Sequence, residues 1–440
     1  SSDVCSSDLF DASSWSTDVA FRVRCLRQLR DAFHAHAEEI RAMTVAETGS
    51  PLMLTYSAQL DDPVNGLGWV ADLAEGYEWE RDLGRAEPLG MPAHRWVRRE
   101  ATGVVGAITP WNVPHQINLA KVGPALAAGN TVVLKPAPDT PWAATILGRL
   151  VAEETDIPAG VLNVVTSRDH AVGAAIATDP RVDQVSFTGS TATGRSVMRN
   201  AADTLKKVFL ELGGKSAFVV LDDADLKAAT GVAAFTVCTH AGQGCAITTR
   251  LVVPRSHYDE AVEMTARTLE KLPASDPTDA GTVCGPLVSA RQRERVEGYI
   301  RLAVEEGGTI VTGGGRPADR DRGFFVQPTL IAGLGNEARV AQEEIFGPVL
   351  VILPHDGDDD AVRIANDSVY GLSGSVWSGD RDRAVAVANR IRTGTVGVNG
   401  GIWFSPDVPF GGYKQSGVGR EMGVLGFEEY LETKSIAEPA

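Results

Sequence analysis

Five short stretches of the 440-residue chain carry side chains that do chemistry. Thr239-His240-Ala241-Gly242-Gln243-Gly244-Cys245 sets a cysteine among glycines, which leave a thiol open to a small molecule. A turn into a helix there would lower the thiol pKa through the helix dipole and yield a nucleophile. A lone cysteine is also commonly an inert small hydrophobe, and Cys25, Cys284 and Cys238, beside the apolar run 233–237, read that way. Glu211-Leu212-Gly213-Gly214-Lys215 ends the strand-like run KVFLEL, where a carboxylate suits general base work or is an ordinary exposed glutamate. Thr109-Pro110-Trp111-Asn112-Val113-Pro114 holds an amide between prolines. Such an amide is either a rigid donor for a developing oxyanion or a turn asparagine. In Phe187-Thr188-Gly189-Ser190-Thr191-Ala192-Thr193-Gly194 a strand turns into a helix, so backbone N–H groups near Gly189 and Ser190 could meet a phosphate. The spacing is not Gly-x-Gly-x-x-Gly, and a plain Ser or Thr cap gives the same pattern. In Glu343-Glu344-Ile345-Phe346-Gly347-Pro348, Glu344 and Phe346 fall on one side if the segment is extended. They would then hold a ribose and pack on a flat ring.

The composition narrows the setting. Cys5, Cys25, Cys238, Cys245 and Cys284 are an odd, sparse set with no Cys-x-x-Cys pair. Neither a disulfide framework nor a metal site is expected, and a reducing cytoplasm fits. A net charge of -16 and a pI near 5.0 repel phosphate backbones and anionic lipid, so neither nucleic acid nor membrane is an expected partner. No apolar run approaches the ~20 residues of a membrane span. The length and a 43% hydrophobic content suit two or more domains with full cores. The first nine residues, SSDVCSSDL, repeat Ser-Ser-Asp without a hydrophobic period and read as foreign, with the natural N-terminus expected upstream.

The elements that must position these stretches follow from periodicity. Apolar residues from Val19 to Met43 recur at steps of three, four or seven, which predicts one amphipathic helix ending near Gly49. GVVGAI (103–108), TVVLKP (131–136), VLNVV (161–165) and QVSFT (184–188) read as strands. KVGPALAAGN (121–130) and Thr145 to Thr155 read as helices. Such alternation predicts a parallel sheet with helices on both faces. The second half repeats the style, with strands AFVVL (217–221), RLVVP (250–254), FVQPTLI (325–331) and PVLVIL (348–353) and helices from Tyr258 to Leu272 and Arg291 to Glu306.

Each stretch is ambiguous alone, but their order is not. Pro110-Trp111-Asn112, LKPAPDTP (134–141), FTGST (187–191), ELGGKS (211–216), GQGC (242–245), EEIFGPV (343–349) and PFGGYKQSG (409–417) make the chain resemble the aldehyde dehydrogenase superfamily from about Phe10 to about Lys434. The resemblance implies an α/β fold with two parallel-sheet domains, one Rossmann-like, and a small β oligomerisation element. The cofactor-binding domain would cover 10–84 and 100–212, the oligomerisation element 85–99 and 431–440, and the catalytic domain 213–430. A cytoplasmic homodimer or homotetramer is implied, with a β-rich lead-in ahead of Phe10.

The resemblance also implies roles. Cys245 would be the nucleophile, Glu211 the general base and Asn112 an oxyanion donor beside the Cys245 backbone N–H. Lys135 would approach the adenosine ribose of NAD and Gly189 and Ser190 its pyrophosphate. Trp111 and Leu212 would also contact the cofactor, with Glu344 on the nicotinamide ribose and Phe346 near the nicotinamide. His115, Gln116, Trp403 and Phe404 would line the channel of a small aldehyde. A glutamate at 211 favours hydrolysis over acyl transfer to coenzyme A. One departure is Pro138, where many NAD-preferring relatives carry a ribose-binding Glu; NAD is favoured, with NADP possible. Two other classes compete: a thiol hydrolase activated by His240, and a non-catalytic relative.

Overall fold

The computed structural model describes Phe10 and residues 13–440; the foreign-looking lead, with Cys5, lies outside them. Three helices open the described chain: α1 (Val19–Ala35), α2 (Ala37–Thr48) and α3 (Asp61–Gly76). Asp18 caps α1 through the Phe21 N–H at 2.9 Å. The single helix expected from Val19 to Met43 is two, because His36 leaves helical geometry at φ -108°, ψ 14°. The second restarts with Glu38 and Glu39 in its first turn, where carboxylates complement the helix dipole.

A hairpin follows, β1 (Glu80–Ala86) and β2 (Ala93–Ala101), and then the first α/β unit. Its elements are β3 (Val104–Ile108), α4 (Pro114–Ala128), β4 (Thr131–Lys135), α5 (Trp142–Glu154), β5 (Leu162–Val164), α6 (His170–Thr178), β6 (Gln184–Thr188), α7 (Thr191–Ala201) and β7 (Lys207–Glu211). Helix α4 is longer than the expected 121–130, because Pro114 sits at its first turn, where the fixed φ and missing N–H cost nothing. It closes on Gly129 in the left-handed region. The parallel strands lie in the order β7-β6-β3-β4-β5. Helices α1, α3, α4 and α5 cover one face around Leu26, Leu67, Val105 and Leu147, and α6 and α7 cover the other around Val185, Val197 and Leu210.

The second unit runs through β8 (Ser216–Val220), α8 (Leu226–Cys238), β9 (Thr248–Pro254), α9 (Tyr258–Glu270), α10 (Ala290–Glu305), β10 (Thr309–Thr312), β11 (Thr329–Ala332), β12 (Val349–His355), β13 (Gly374–Trp377) and β14 (Gly397–Val398). Its sheet has the order β10-β11-β12-β9-β8-β13-β14, parallel except at β10. The strand expected over 325–331 starts only at Thr329. Pro328 has no N–H for a ladder, and the Gln327 N–H bonds instead to Gly315 C=O at 2.8 Å. Finally β15 (Gly417–Val418) closes the first sheet antiparallel to β7, and β16 (Leu431–Pro439) adds to β2 along its length. The resulting three-stranded sheet is mostly exposed. Among the described residues no helix is long and apolar enough to cross a membrane.

Candidate active site

Strand order locates a crevice. From β3 the chain moves to β4 and β5 on one side, then returns to β6 and β7 on the other. Ligands of open α/β sheets bind beyond the carboxyl ends of the strands at such a switch point. Those ends hold Glu211, Thr188, Ile108 and Lys135 side by side, paired as Thr188 with Glu211 and Ile108 with Lys135. Trp111 and Asn112 follow β3, and Ser190 follows β6, where its Oγ accepts from the Thr193 N–H and caps α7.

The second sheet faces this crevice with the opposite edge. Chain enters β8 through Gly213, Gly214 and Lys215, β9 through Cys245, and β12 through Glu344 and Phe346. A hydrogen bond ties the two edges: Asn112 Nδ2 donates to the Gln243 carbonyl at 3.0 Å. An amide carries two hydrogens, so one remains to donate. Gln59 Nε2 donates to the Asn112 carbonyl at 3.0 Å and fixes the loop from behind. Gln243, fully buried, donates to His240 C=O and accepts from the Val288 N–H at 2.9 Å. The segment is strained: His240, Ala241 and Gly242 all have positive φ. A Cβ on Gly242 would stand 2.1 Å from the Gly347 carbonyl oxygen, so only glycine fits.

Cys245 is half-buried and free, and its thiol lies close enough to the Glu211 carboxyl to feel its charge. Glu211 is 2% exposed, and its Oε1 has no hydrogen-bond partner among the described residues. Burial raises its pKa well above the carboxylate range, and the negative charge of Glu421 raises it further, while Lys121 opposes. Burial raises the Cys245 thiol too, with Glu211 and Glu344 adding to it. Behind Glu211 runs a buried chain in which Lys121 Nζ contacts Glu421 Oε1 at 2.8 Å and Ser186 Oγ at 3.2 Å. Ser186 in turn meets the Tyr430 hydroxyl at 3.0 Å.

The crevice suits a dinucleotide. Among the described residues the Lys135 ammonium, in a side chain buried to 5% exposure, meets only the Pro136 carbonyl at 3.3 Å, and the buried Thr188 Oγ1 has no partner. Glu344 Oε1 accepts from the Gly214 N–H at 2.9 Å, and a Cβ on Gly213 would stand 2.6 Å from Glu344 Oε2. Trp111 and Phe346 meet edge to face at 5.3 Å, two flat surfaces beside the thiol loop. Leu212 is buried against Gly194, and its N–H bonds to Ser416.

The family model for the aldehyde dehydrogenase family matches residues 8–436. A 3-succinoylsemialdehyde-pyridine dehydrogenase of a Pseudomonas species is 44% identical, over 96% of this chain and 87% of that protein. A geranial dehydrogenase of Castellaniella defragrans is 42% identical, over 94% and 85%. A Mycobacterium tuberculosis aldehyde dehydrogenase solved with NAD+ superposes with a TM-score of 0.94 at 42% identity, over 98% of this chain and 88% of that one.

The chain belongs to the aldehyde dehydrogenase family.

Like the family whose name it carries, it oxidises aldehydes. The structure of this aldehyde dehydrogenase brings Cys245, Glu211, Asn112, Glu344, Phe346 and Trp111 together, and it changes four local expectations. Cys245 leads into β9 and not into a helix, so no helix dipole lowers its pKa. Phe346 has φ 63°, so Glu344 and Phe346 do not share a face by extension; the turn itself aims them. The Gly189 N–H is bonded to Glu211 C=O at 3.1 Å, so Gly189 shapes the turn and leaves phosphate donors to the α7 terminus. His115 is buried against Phe33 and bonded to Thr44, and Trp403 stacks on Phe410; only Gln116 and Phe404 line the cavity beside α4. His240 gives the hydrolase alternative only a weak base: it is buried, burial pulls its pKa down to about 4, and the charge that acts on the Cys245 thiol is that of Glu211. Gln59, Gln243, Lys121 and Glu421 went unassigned in the sequence. Gln243 stood inside a quoted motif, whereas Gln59 and Glu421 carry no local signal.

Proposed function

We propose that the chain oxidises an aldehyde to its carboxylic acid through a thioester on Cys245, with NAD as the bound oxidant. The buried Glu211 carboxyl coupled to the Cys245 thiol, beside the Asn112 amide, is the observation that carries this reading. Glu211 in its carboxylate form takes the thiol proton, and the sulfur adds to the aldehyde carbon. The free Asn112 amide hydrogen and the Cys245 backbone N–H receive the oxyanion. NAD, when bound, accepts the hydride that the tetrahedral adduct releases. Once Glu211 has passed the thiol proton to solvent, its carboxylate accepts a proton from the water that attacks the thioester, and the acid leaves as the Cys245 thiolate is set free.

Lys135 and the α7 terminus with Ser190 hold the adenosine and pyrophosphate side, joined there by Gly189 through the turn it forms. Leu212, Trp111, Glu344 and Phe346 hold the nicotinamide side. NAD is preferred over NADP, as with the NAD+ complexes of the structural relatives, although Pro138 offers no acceptor to a ribose. Residues 10–84 and 100–212 form the cofactor-binding domain and 213–430 the catalytic domain. Residues 85–99 and 431–440, within the exposed three-stranded sheet, assemble a cytoplasmic homodimer or homotetramer.

Absorbance of reduced nicotinamide, with NAD and NADP in parallel, tests the reading. Wild type is expected to reduce NAD with short and long aldehydes, and Cys245→Ala is expected to lose the signal. A folded wild type inert toward every aldehyde, or a Cys245→Ala variant with full activity, would overturn it.

A further inference from the structure

Lys215 has no part in the proposed reaction. It stands just ahead of β8, 1% exposed, and its ammonium has no hydrogen-bond partner among the described residues. Alternate residues of an extended chain share a face, so Lys215 lies on the face of Ala217, and the ladder pairs Ala217 with Arg250 of β9. All three line a small cavity of about 10 Å³, closed by Ala365, Tyr370 and Ile391. That is room for about one water-sized sphere. Arg250 is buried as well, at 2% exposure. Its guanidinium uses four of five N–H groups, on the carbonyls of Lys215, Ile364 and Ala365 and on Asn336 Oδ1. One N–H, on Nη2, remains to donate.

A buried ammonium without an acceptor is unfavourable, and the described residues lining this cavity include no carboxylate. Burial and the like charge of Arg250 bring the Lys215 pKa down to about 7; Glu344 and Glu343 pull upward from the loop before β12, and Arg295 on α10 adds to the lowering. Glu344 is itself engaged by the Gly214 N–H. Beyond Arg250, Lys414 feels Arg392 and Arg250 as like charges, with Asp367 opposing. We propose that the cavity binds a small monovalent anion of the chloride class, between Lys215 Nζ and the free Arg250 N–H. One negative charge there gives the ammonium its counter-ion and fills the last donor of the guanidinium. The small volume turns away sulfate, phosphate and organic carboxylates.

Thermal denaturation of the whole protein in sodium chloride and in sodium gluconate at equal ionic strength, at pH 6 and at pH 9, tests the site. Gluconate is too large to enter. At pH 6 Lys215 is an ammonium, and chloride is expected to raise the Tm by ~2 °C or more over gluconate. At pH 9, well above the Lys215 pKa, the amine must take up a proton to hold the ion. Chloride affinity is then expected to be ~100-fold lower, and the Tm difference to vanish. Lys215→Met, similar in length and uncharged, is expected to show no chloride response at either pH. Should that variant not fold, bromide diffused into wild-type crystals at pH 6 locates the ion by anomalous scattering, expected at hydrogen-bonding distance from Lys215 Nζ. Equal Tm in the two salts at pH 6 would overturn the assignment. So would a chloride response undiminished at pH 9 or in Lys215→Met, or a cavity without bromide.

Discussion

The two edges that meet at Cys245 are built in different ways. The first sheet offers Glu211, Thr188 and Lys135 from the ends of strands in ladder register, so each side chain is placed by regular hydrogen bonding. The second sheet offers Cys245, Glu344 and Phe346 from approach loops, with His240, Ala241 and Phe346 in left-handed backbone. Such residues cost ~1–2 kcal/mol each and persist only where the surroundings over-determine them. Gln243, fully buried and bonded on both faces of its amide, is that surrounding here. Regular structure places Glu211, Thr188 and Lys135, and a strained loop places Cys245. The Asn112–Gln243 bond makes the two one site.

The largest effect should come from cutting that bond. Asn112→Ala removes the proposed oxyanion donor and the tie to Gln243 together. Losing one such donor costs ~10²–10³ in kcat, and kcat/KM for aldehyde is expected to fall at least that far. NAD affinity, read by quenching of tryptophan fluorescence, should stay near the wild-type value. An activity loss below ~10-fold would mean that the strained loop holds itself and that the bridge is incidental.

A middle effect sharpens the regular side. Glu211 must be a carboxylate to accept a proton, so activity rises with pH through its elevated pKa. Glu421 helps to hold that pKa up, and Lys121 opposes it. Glu421→Gln removes the negative charge and leaves the lysine, so both changes favour ionised Glu211. The ascending limb of the kcat/KM profile is expected to move to lower pH. A limb that stays or moves upward would show that Glu211 is not the group titrating.

The same contrast sets how far the amino-acid sequence could be read. Strand-end residues are legible because alternating β-branched runs such as TVVLK and QVSFT end where the chemistry starts. The α/β class and the grouping of Glu211, Asn112 and Cys245 followed from motifs at such ends and from resemblance. Loop geometry was not legible. Nothing in Glu344-Ile345-Phe346 announces a left-handed phenylalanine, and nothing in the loop before Cys245 announces the left-handed His240 and Ala241. Gln59 and Glu421 reach the site from segments distant in sequence, and only the packed fold shows which buried polar groups they meet.

The smallest effect isolates backbone strain by making one substitution on each side. Ala107, fully buried in β3, and Ala241, 1% exposed at φ 53°, are both alanines without room to move. Changing either to glycine loses a buried methyl, ~0.8 kcal/mol, and loosens the unfolded chain by ~0.4–1 kcal/mol. At 107 nothing offsets that, and the variant should be less stable by roughly 1–2 kcal/mol. At 241 glycine also relieves a left-handed conformation worth ~1–2 kcal/mol, so the variant should come out near neutral. Thermal denaturation of the two side by side reads the difference. A drop at 241 as large as the drop at 107 would mean that the loop before Cys245 is not strained by its alanine, and the contrast between the two edges would then rest on His240 and Phe346 alone.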